Sequence, residues 1–416
     1  MAVTVRPVAM PERPDRPPLP PELVWVAAAL WPGADVRLGA EGISAGFRIA
    51  ESYEVVPSAS HPRFLVPSWD PSLVGVALER FDDAMTTWAR LRRAVAARAA
   101  GLGSERFPEL VISFARDPHP GELVTHVLRG VFERPEVVAA FSFGPARPNR
   151  KPVAQVLLPE GEVLGFAKIG WNGATDALVA HEASVLRRWR GLPPNTFTVP
   201  RLIAEERLRS GHVMTVVDPL PTALRAERRG AKVPPLDATR EIATSGGVGV
   251  SPLAETPFWR RLVDRADARA TAPRRAASLA LRWIEDLHGR RPIWHGSWHG
   301  DWAPQNMSTV GGRLHVWDWE RAADGAPLGL DLVHYLFQVE FRRRPNVRRA
   351  ADVAIHRAAA SLRLLGVPDE DHALMMVCYL AELLLRYEEG RDAGALVRPG
   401  VRDAVVDALR LWVGRS

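Results

Sequence analysis

Cysteine is almost absent from this chain: Cys378 is the only one among 416 residues. A single cysteine excludes a disulfide within the chain and a zinc site built on cysteine ligands. Its surroundings, ALMMVCYLAELLL, are apolar and predict a buried helix position rather than a nucleophile. The cysteine content is compatible with a reducing compartment, and we expect a cytoplasmic protein.

Long apolar runs are also missing. Nowhere do about 18 apolar residues follow one another, so we expect no transmembrane helix and no membrane partner. The N-terminal MAVTVRPVAMPERPDRPPLPPEL has arginines without an apolar stretch behind them, so we expect no secretory signal. Residues 1–20 are instead dense in proline and charge, a composition that predicts a disordered tail.

The charge balance is basic, with a net charge of +6 and a pI near 10.0. Most of the excess is arginine, and in stretches such as RRLVDRADARATAPRR it alternates with Asp and Ala at helical spacing. This pattern is typical of a solvated helix face, and no nucleic-acid motif accompanies it, so we expect no nucleic-acid partner. The 47% hydrophobic and 25% charged residues are ordinary globular values.

The first half of the chain divides by pattern into two regions after the tail. Residues 21–135 mix short strand candidates, such as GFRIAESYEVV, with a long amphipathic helix over 71–101, and form an accessory α/β region. Residues 136–220 predict a small antiparallel β/α lobe. It has three strands at 137–144, 152–160 and 162–171, a helix capped by Thr175 or Asp176, and two further strands.

The second half is mostly helical. Residues 221–256 are rich in Gly, Pro, Ser and Thr and predict a connecting segment or insertion. Residues 257–416 predict a helical lobe, with Gly366 and Gly390 ending two of its helices. Its predicted helices are 258–268, 272–289, 328–343, 346–365, 370–389 and 397–413.

Two motifs in the helical region suit phosphoryl transfer, which needs a carboxylate beside an acceptor hydroxyl and magnesium on the phosphates. In HGDWAPQN, Asp301 is placed to receive the acceptor's proton, and Asn306 follows it by five residues in a loop. In RLHVWDWE, Asp318 ends an apolar strand. Asn306 and Asp318 carry the oxygen ligands that magnesium prefers, so one loop and one strand end can share an ion.

The β lobe supplies candidates for the phosphates. Lys168 interrupts the apolar strand GFAKIGW, and Glu182 on the next helix is positioned to pair with it. Gly144 opens the PARPNRK connection between the first two strands and allows close backbone approach to a phosphate. Arg147, Arg150 and Lys151 are the cations of that loop.

These motifs, from about residue 137 to the C-terminus, resemble the aminoglycoside phosphotransferase and choline kinase-like family, small-molecule relatives of protein kinases. HGDWAPQN resembles that family's catalytic loop, VWDWE its metal-binding segment, and AK with HEASVL its lysine and glutamate pair. The resemblance implies that Asp301 is the catalytic base and that Asn306 and Asp318 are metal ligands. It also implies that Lys168, supported by Glu182, holds the phosphates of ATP.

Further roles follow from the same resemblance. His299 would orient the catalytic loop, and Asp331 in GLDLVHY would support it from below. Residues 216–220, VVDPL, fall where an adenine-binding hinge is expected, so Val217 and Asp218 are assigned to cofactor binding. The implied fold is α+β: a protein kinase-like bilobal fold with a small antiparallel β/α lobe, a mostly helical lobe and the N-terminal α/β accessory region.

Other interpretations of the same residues are weaker. His295 and His299 are four apart, which suggests a metal hydrolase, but no HExxH helix is present. GISAG fits a serine hydrolase elbow at Ser44, but a strand rather than a helix is predicted to follow it. The tryptophans around the motifs suit either an aromatic cage for a quaternary ammonium group or, more often, core packing.

The sequence therefore predicts an ATP- and Mg²⁺-dependent kinase for a hydroxyl of a small molecule such as a sugar, an aminocyclitol or aminoglycoside, or an amino alcohol. The alternative is a catalytically silent pseudokinase that binds a nucleotide or a partner. The intact Lys168, Asp301, Asn306 and Asp318 argue against that alternative, and the glycine-poor phosphate loop argues for it.

Overall fold

The structure of the chain is a computed structural model. It contains strands rich in β-branched and aromatic residues and long amphipathic helices. The residues that it describes are 18–41, 43, 46–69, 73, 107–119, 121–144, 150–220, 233–268, 272–392 and 400–416. The predicted helix at 71–101 lies, apart from Leu73, outside these residues, as do residues 1–17 of the predicted tail and Ser44.

Fifteen strands occur in the described residues. They are β1 (Asp35–Leu38), β2 (Arg48–Val56), β3 (Phe64–Pro67), β4 (Glu109–Phe114), β5 (Val138–Phe143), β6 (Pro152–Leu157), β7 (Val163–Ile169), β8 (Phe197–Thr198), β9 (Leu202–Arg207), β10 (Val213–Val217), β11 (Gly249–Pro252), β12 (Pro292–Trp298), β13 (Met307–Val310), β14 (Arg313–Val316) and β15 (Ala323–Pro327).

Ten α-helices occur in the same part of the chain. They are α1 (Pro21–Leu30), α2 (Val124–Phe132), α3 (Gly173–Gly191), α4 (Leu236–Thr244), α5 (Pro257–Asp267), α6 (Ala272–His288), α7 (Leu330–Arg343), α8 (Val347–Leu364), α9 (His372–Asp392) and α10 (Val401–Val413). None of the helices in the described ranges combines the length and the apolar character that crossing a membrane requires.

Nine of these strands form one antiparallel sheet in the order β1-β4-β2-β3-β5-β6-β7-β10-β9. The predicted meander β5-β6-β7 is present, and Gly161, with φ +90°, makes the tight turn between β6 and β7. Strand β3 pairs with β5 through Phe64 opposite Ser142 and Leu65 opposite Phe141. The sheet therefore continues from the accessory region across the boundary predicted near residue 135, while the division into domains stays a prediction.

Helix α3 crosses one face of this sheet, but it begins earlier than predicted. Asn172 rather than Thr175 or Asp176 is its N-cap: the Asn172 side chain accepts a hydrogen bond from the Thr175 N–H at 2.9 Å, and Thr175 Oγ1 accepts the Asn172 N–H in return. Asp176 instead accepts the Val213 N–H at 3.0 Å. This bond fixes the start of α3 against β10.

The second lobe is mostly helical, as predicted, and α9 lies in its centre, with most of its residues from Leu374 to Leu385 buried. Gly366, with φ +85°, follows the end of α8, whereas the predicted stop at Gly390 is wrong because α9 continues to Asp392. The described part of the predicted connecting segment, 233–256, also contains the helix α4 and the strand β11. An antiparallel sheet lobe beside a helical lobe confirms the predicted α+β, two-lobed arrangement.

Candidate active site

A short hairpin brings together two of the predicted metal ligands. Asn306 immediately precedes β13, and Asp318 lies two residues beyond β14, its partner strand. The Trp317 N–H donates to the Asn306 carbonyl oxygen at 3.0 Å, which closes the open end of the hairpin. Asp318 has φ +68°, a left-handed conformation that is uncommon for a residue other than glycine and is often found at functional sites.

Lys168 connects the sheet lobe to this hairpin. It lies in the middle of the sheet, between Val153 of β6 and Thr215 of β10. Its Nζ is 2.7 Å from Glu182 Oε2 and 2.6 Å from Asp318 Oδ1. The predicted lysine and glutamate pair therefore forms, and the same ammonium group contacts the predicted metal ligand 150 residues away in the chain.

Charge keeps the Lys168 ammonium protonated. Burial alone lowers the pKa of Lys168, but the carboxylates of Asp318 and Glu182 raise it well above its usual value. The pKa of Asp318 is shifted in the opposite direction. Burial favours its neutral form, yet the charges of Lys168 and Lys151 lower its pKa. Both partners are ionised at neutral pH.

Only part of the predicted phosphate loop lies within the described residues. Gly144 is exposed at the end of β5, and Arg147 falls outside those residues. Arg150 contacts the accessory region: its guanidinium pairs with Glu22 and lies 4.5 Å from the ring centroid of Trp25 in α1.

Lys151 is the loop cation that faces the site. It forms an ion pair with Glu320, two residues beyond Asp318, and both side chains are nearly buried. Its positive charge also acts on the Asp318 carboxylate. The far end of the predicted loop is therefore anchored beside the predicted metal ligands.

Asp301, the predicted base, is held at both carboxylate oxygens. Oδ1 accepts a hydrogen bond from His334 Nε2 at 3.0 Å, and Oδ2 accepts one from Asn306 Nδ2 at 2.8 Å. The side chain still exposes 30% of its surface, so a ligand can reach it. Its orientation is thus fixed before any acceptor arrives.

The pKa of Asp301 lies below its usual value. Burial alone raises it, but the hydrogen bond from His334 and the charge of Arg386 more than offset that effect. His334 is itself buried, and burial lowers its pKa, so at neutral pH it acts as an uncharged donor. Asp301 is therefore an ionised, weakly basic carboxylate with a fixed direction.

The two predicted supporting residues hold the loop backbone around Asp301. Asp331 accepts the N–H groups of His299 at 2.7 Å and Gly300 at 3.1 Å. His299 is fully buried, and its Nδ1 accepts the Asp301 N–H while its Nε2 donates to the Trp317 carbonyl oxygen at 3.1 Å. Burial lowers the pKa of His299 to about 4, so the ring is neutral and both bonds persist at neutral pH.

The predicted hinge lies at the end of β10. Val217 pairs with Phe166 of β7, and the Asp218 carboxylate accepts the Arg201 N–H at 2.6 Å. The structure therefore gives Asp218 a local role in fixing the chain at this point. Adenine binding by Val217 and Asp218 stays a prediction.

Sequence reasoning missed two residues of the site. His334 follows the predicted support Asp331 by three residues, which places both on the same face of α7. That spacing was the signal that could have identified it. Glu320 lies in the VWDWE motif, but its contact with Lys151 depends on a turn that the motif does not specify.

The weaker interpretations find no support in the described residues. Among those residues, His295 and His299 belong to no group of side chains arranged to hold a metal ion. Trp302 and Trp319 are almost completely buried in the core of the helical lobe, and Trp298 is 6% exposed. This burial agrees with core packing rather than with a cage open to a ligand.

Oxygen ligands fit a divalent cation here. Both donor hydrogens of the Asn306 amide have acceptors, the carbonyl oxygen and Oδ2 of Asp301, each at 2.8 Å, so Asn306 Oδ1 remains as an acceptor for a cation. The side chain of Asp318 is 29% exposed. Glu182, Asp318 and Glu320 also bring carboxylate oxygens within 4.8 Å of one another, a set of hard ligands that suits Mg²⁺.

No protein-family model and no curated protein sequence matches the chain. Solved structures do. A thermostable mutant of aminoglycoside phosphotransferase APH(4)-Ia, in a ternary complex with ADP and hygromycin B, is 14% identical with a TM-score of 0.46, covering 70% of this chain and 98% of its own. Choline kinase LicA from Streptococcus pneumoniae is 14% identical with a TM-score of 0.41. The match covers 64% of this chain and 90% of the choline kinase chain.

A third similar structure is amicoumacin kinase hAmiN with AMP-PNP, Ca²⁺ and Ami, 11% identical with a TM-score of 0.37, covering 66% of this chain and 87% of its own. The chain thus resembles solved small-molecule kinases, as its motifs predicted. Because every one of these TM-scores is below 0.5, the roles of individual residues rest on the contacts described above.

Proposed function

We propose that the chain is an ATP- and Mg²⁺-dependent phosphotransferase that moves the γ-phosphate to a hydroxyl group of a small molecule in the cytoplasm. The observation that carries the proposal is the pair of ion pairs formed by Lys168, whose Nζ lies 2.7 Å from Glu182 Oε2 and 2.6 Å from Asp318 Oδ1. A half-buried cation held between two carboxylates, one of them in a strained left-handed conformation, is a costly arrangement for stability alone. It suits a site that exchanges partners when a polyanion binds.

Lys168 and the metal ligands would share the charge of the nucleotide. The Lys168 ammonium binds the nonreacting phosphates, and Glu182 keeps it in place. Asn306 Oδ1 and the Asp318 carboxylate hold Mg²⁺, which when bound neutralises charge on the phosphate oxygens during transfer. Lys151, at the end of the loop that Gly144 opens, adds a second positive charge on the same side.

Asp301 would act on the acceptor. Its carboxylate accepts a hydrogen bond from the attacking hydroxyl and turns the oxygen toward the γ-phosphorus. It receives the proton as the new P–O bond forms and the bond from the γ-phosphorus to the bridging oxygen breaks, which releases ADP. Because the pKa of Asp301 is low, its contribution is chiefly orientation, with proton transfer late in the reaction. His334 and Asn306 are positioning residues for this carboxylate.

The nucleotide base would lie between the two lobes, beside Val217 and Asp218 at the end of β10. A structure with ATP bound elsewhere would contradict this placement. The alternative, a silent pseudokinase, shares the nucleotide site but not the chemistry, so turnover separates the two.

The test is Mg²⁺-dependent ADP release measured with a panel of sugars, aminocyclitols and amino alcohols. We expect at least one acceptor to raise ADP release above the rate with water, and chelation of Mg²⁺ to abolish the increase. Mg²⁺-dependent nucleotide binding without turnover on any acceptor would favour the pseudokinase. Absence of both binding and turnover would reject the proposed function.

A further inference from the structure

A cavity of about 810 Å³ lies between the two lobes, next to the proposed catalytic loop. Helix α3 forms one wall, and α5 and α9 form others. The segment from Trp319 to Asp324, which follows the metal ligand Asp318, lines it as well. Its volume is sufficient for a small-molecule ligand.

The cavity adjoins the loop that carries Asp301. Trp298, three residues before Asp301, is part of its lining. Gly300, with φ +81°, packs so closely on the Arg321 backbone that a Cβ there would lie 2.2 Å from the Arg321 carbonyl oxygen. Arg321 and Arg386 line the cavity, and both interact electrostatically with the Asp301 carboxylate. A ligand in this space therefore lies beside the loop that carries the proposed base.

The carboxylates that line the cavity all have cationic partners. Glu320 pairs with Lys151. Asp324 forms an ion pair with Arg188 at 2.9 Å. Glu382 pairs with Arg265 and also accepts Arg386 Nε at 2.6 Å. No carboxylate among the described lining residues is left to neutralise a cationic ligand.

Two lining arginines, by contrast, form no ion pair within the described part of the chain, and lining carboxylates such as Glu382 act on them only from a greater distance. Arg261 Nη2 donates to a backbone oxygen, that of Asp324, at 2.9 Å. Arg321 has neither an ion pair nor a side-chain hydrogen bond with any residue in the described ranges. Arg261 and Arg321 are both half-buried, so each side chain is partly withdrawn from water. An anionic ligand offsets such a penalty and a cationic one increases it.

Building on the proposed function, we infer that this cavity is the acceptor site and that the acceptor is a hydroxyl compound bearing an anionic group, a carboxylate or a phosphate monoester, which Arg261 and Arg321 bind. The fork of donors on a guanidinium matches either anion. The half-buried Leu178 and Val185 of α3, which also line the cavity, accommodate the carbon skeleton. A polycationic aminoglycoside carries charge of the same sign as the arginines that line this site.

The anion site is tested without turnover, with inorganic phosphate as the probe. Indole N–H signals of the lining tryptophans Trp189, Trp298 and Trp319 are followed by NMR at constant ionic strength. We expect saturable shifts in the wild type and binding weaker by about tenfold or more in Arg261→Gln and Arg321→Gln, as loss of a charge-assisted hydrogen bond predicts. Arg261 lies on α5, away from the proposed nucleotide-phosphate site around Lys168. Weaker phosphate binding in Arg261→Gln would therefore place the bound phosphate in the cavity and not at Lys168.

Arg260→Gln is the matched control, because Arg260 is an exposed neighbour on α5 that does not line the cavity. It should behave as the wild type. If Arg321→Gln does not fold, Arg261→Gln decides the question alone. Absence of saturable shifts in the wild type, or an unchanged response in Arg261→Gln, would overturn the anion site.

The acceptor class is tested by ADP release with three pools of hydroxyl compounds, cationic, neutral and anionic, including glucosamine, glucose, glucuronate and glucose 1-phosphate. We expect the anionic pool to have the highest kcat/KM and Arg321→Glu to reverse that order. Faster turnover of a cationic or neutral pool, or none of the anionic pool, would overturn this assignment. The proposed function fails separately, through lack of Mg²⁺-dependent nucleotide binding.

Discussion

The two halves of the proposed site are held in different ways. On the sheet side, Lys168 is fixed by the charges of Glu182 and Asp318. On the helical side, Asp301 is fixed by uncharged donors, His334 and Asn306, and its loop is closed by His299. The groups proposed to bind a nucleotide are held by charged partners. The carboxylate proposed to bind the acceptor is held by direct hydrogen bonds from neutral donors, and the charges of Arg386 and Arg321 act on it from farther away.

This difference shows which contacts a ligand can replace. A magnesium nucleotide carries both charges, so its phosphates compete for Lys168 and its metal competes for Asp318. Nothing in that ligand replaces the bonds from His334 or Asn306. The helical side is therefore pre-organised for chemistry, and the sheet side exchanges internal ion pairs for equivalent ones with the nucleotide.

The largest expected effect is on the helical side. Asp301→Asn nearly preserves shape but removes the negative charge and the proton acceptor, so turnover should fall by roughly 10²-fold or more. Nucleotide affinity should stay unchanged, because Asp301 is not among the groups that hold the phosphates. ADP-release rates with the true acceptor measure the first quantity, and calorimetric titration measures the second.

The control for that variant is Asp352→Asn. Asp352 is a more exposed carboxylate that pairs with Arg415 and does not line the cavity. It should leave the chemical step nearly intact. Full activity of Asp301→Asn would mean that the two sides do not differ as described and that the base assignment is wrong.

On the sheet side, Lys168→Met should weaken nucleotide binding by about 10- to 100-fold, because one charge-assisted contact to the phosphates is lost. It also leaves Glu182 and Asp318 without their shared cation, so the melting temperature should fall as well. Glu205→Gln removes a surface carboxylate of the same lobe and should change neither quantity. Wild-type nucleotide affinity in a folded Lys168→Met protein would contradict the role of this ammonium.

His334 tests whether a neutral hydrogen bond is sufficient to orient Asp301. His334→Leu should lower kcat about tenfold, the value of one hydrogen bond to a charged group, with little change in nucleotide affinity. His334→Gln retains a donor near the position of Nε2 and should recover most of kcat. Equal losses in both variants would indicate packing rather than positioning.

The smallest expected effect is a pH dependence of stability. The pKa of His299 is lowered to about 4 by burial, so between pH 6.5 and 4 the unfolded chain binds a proton there that the folded chain does not. His299 therefore makes the free energy of unfolding fall as the pH falls through this window, by about 1 kcal/mol per pH unit. Asp331, whose pKa burial raises to about 7, acts in the opposite direction over much of the same window.

Because these contributions oppose each other, the difference between the wild type and His299→Asn is the quantity to measure. Urea unfolding at several pH values should show that the advantage of the wild type shrinks from pH 6.5 toward pH 4. A difference that does not change with pH would mean that His299 is not buried in its neutral form.

Local patterns predicted much of the fold and of the site. The β5-β6-β7 meander, α3 and most helices of the second lobe follow from hydrophobic periodicity, and the motifs placed Lys168, Asp301 and Asp318 in one site. The pairing of β3 with β5 was not predictable, because it joins strands that no turn motif connects. The Asn172 cap was missed because Thr175 is also a good N-cap residue.

The cavity could not be predicted from the sequence, for a different reason. Nothing in the sequence distinguishes Arg261 and Arg321 from the other arginines, because their place in the cavity is decided by the packing of α5, α9 and the segment after Asp318. The prediction of a solvated arginine-rich face holds for Arg260 but not for its neighbour Arg261, which lines the cavity.

The most direct test of the two-sided site is calorimetric titration of wild type, Asp301→Asn and Asp318→Ala with AMP-PNP, with and without Mg²⁺. We predict that Mg²⁺ strengthens binding in the wild type and equally in Asp301→Asn, and that this strengthening disappears in Asp318→Ala. Loss of binding in Asp301→Asn as complete as in Asp318→Ala, or Mg²⁺-dependent binding that survives in Asp318→Ala, would contradict the division of roles between the two carboxylates.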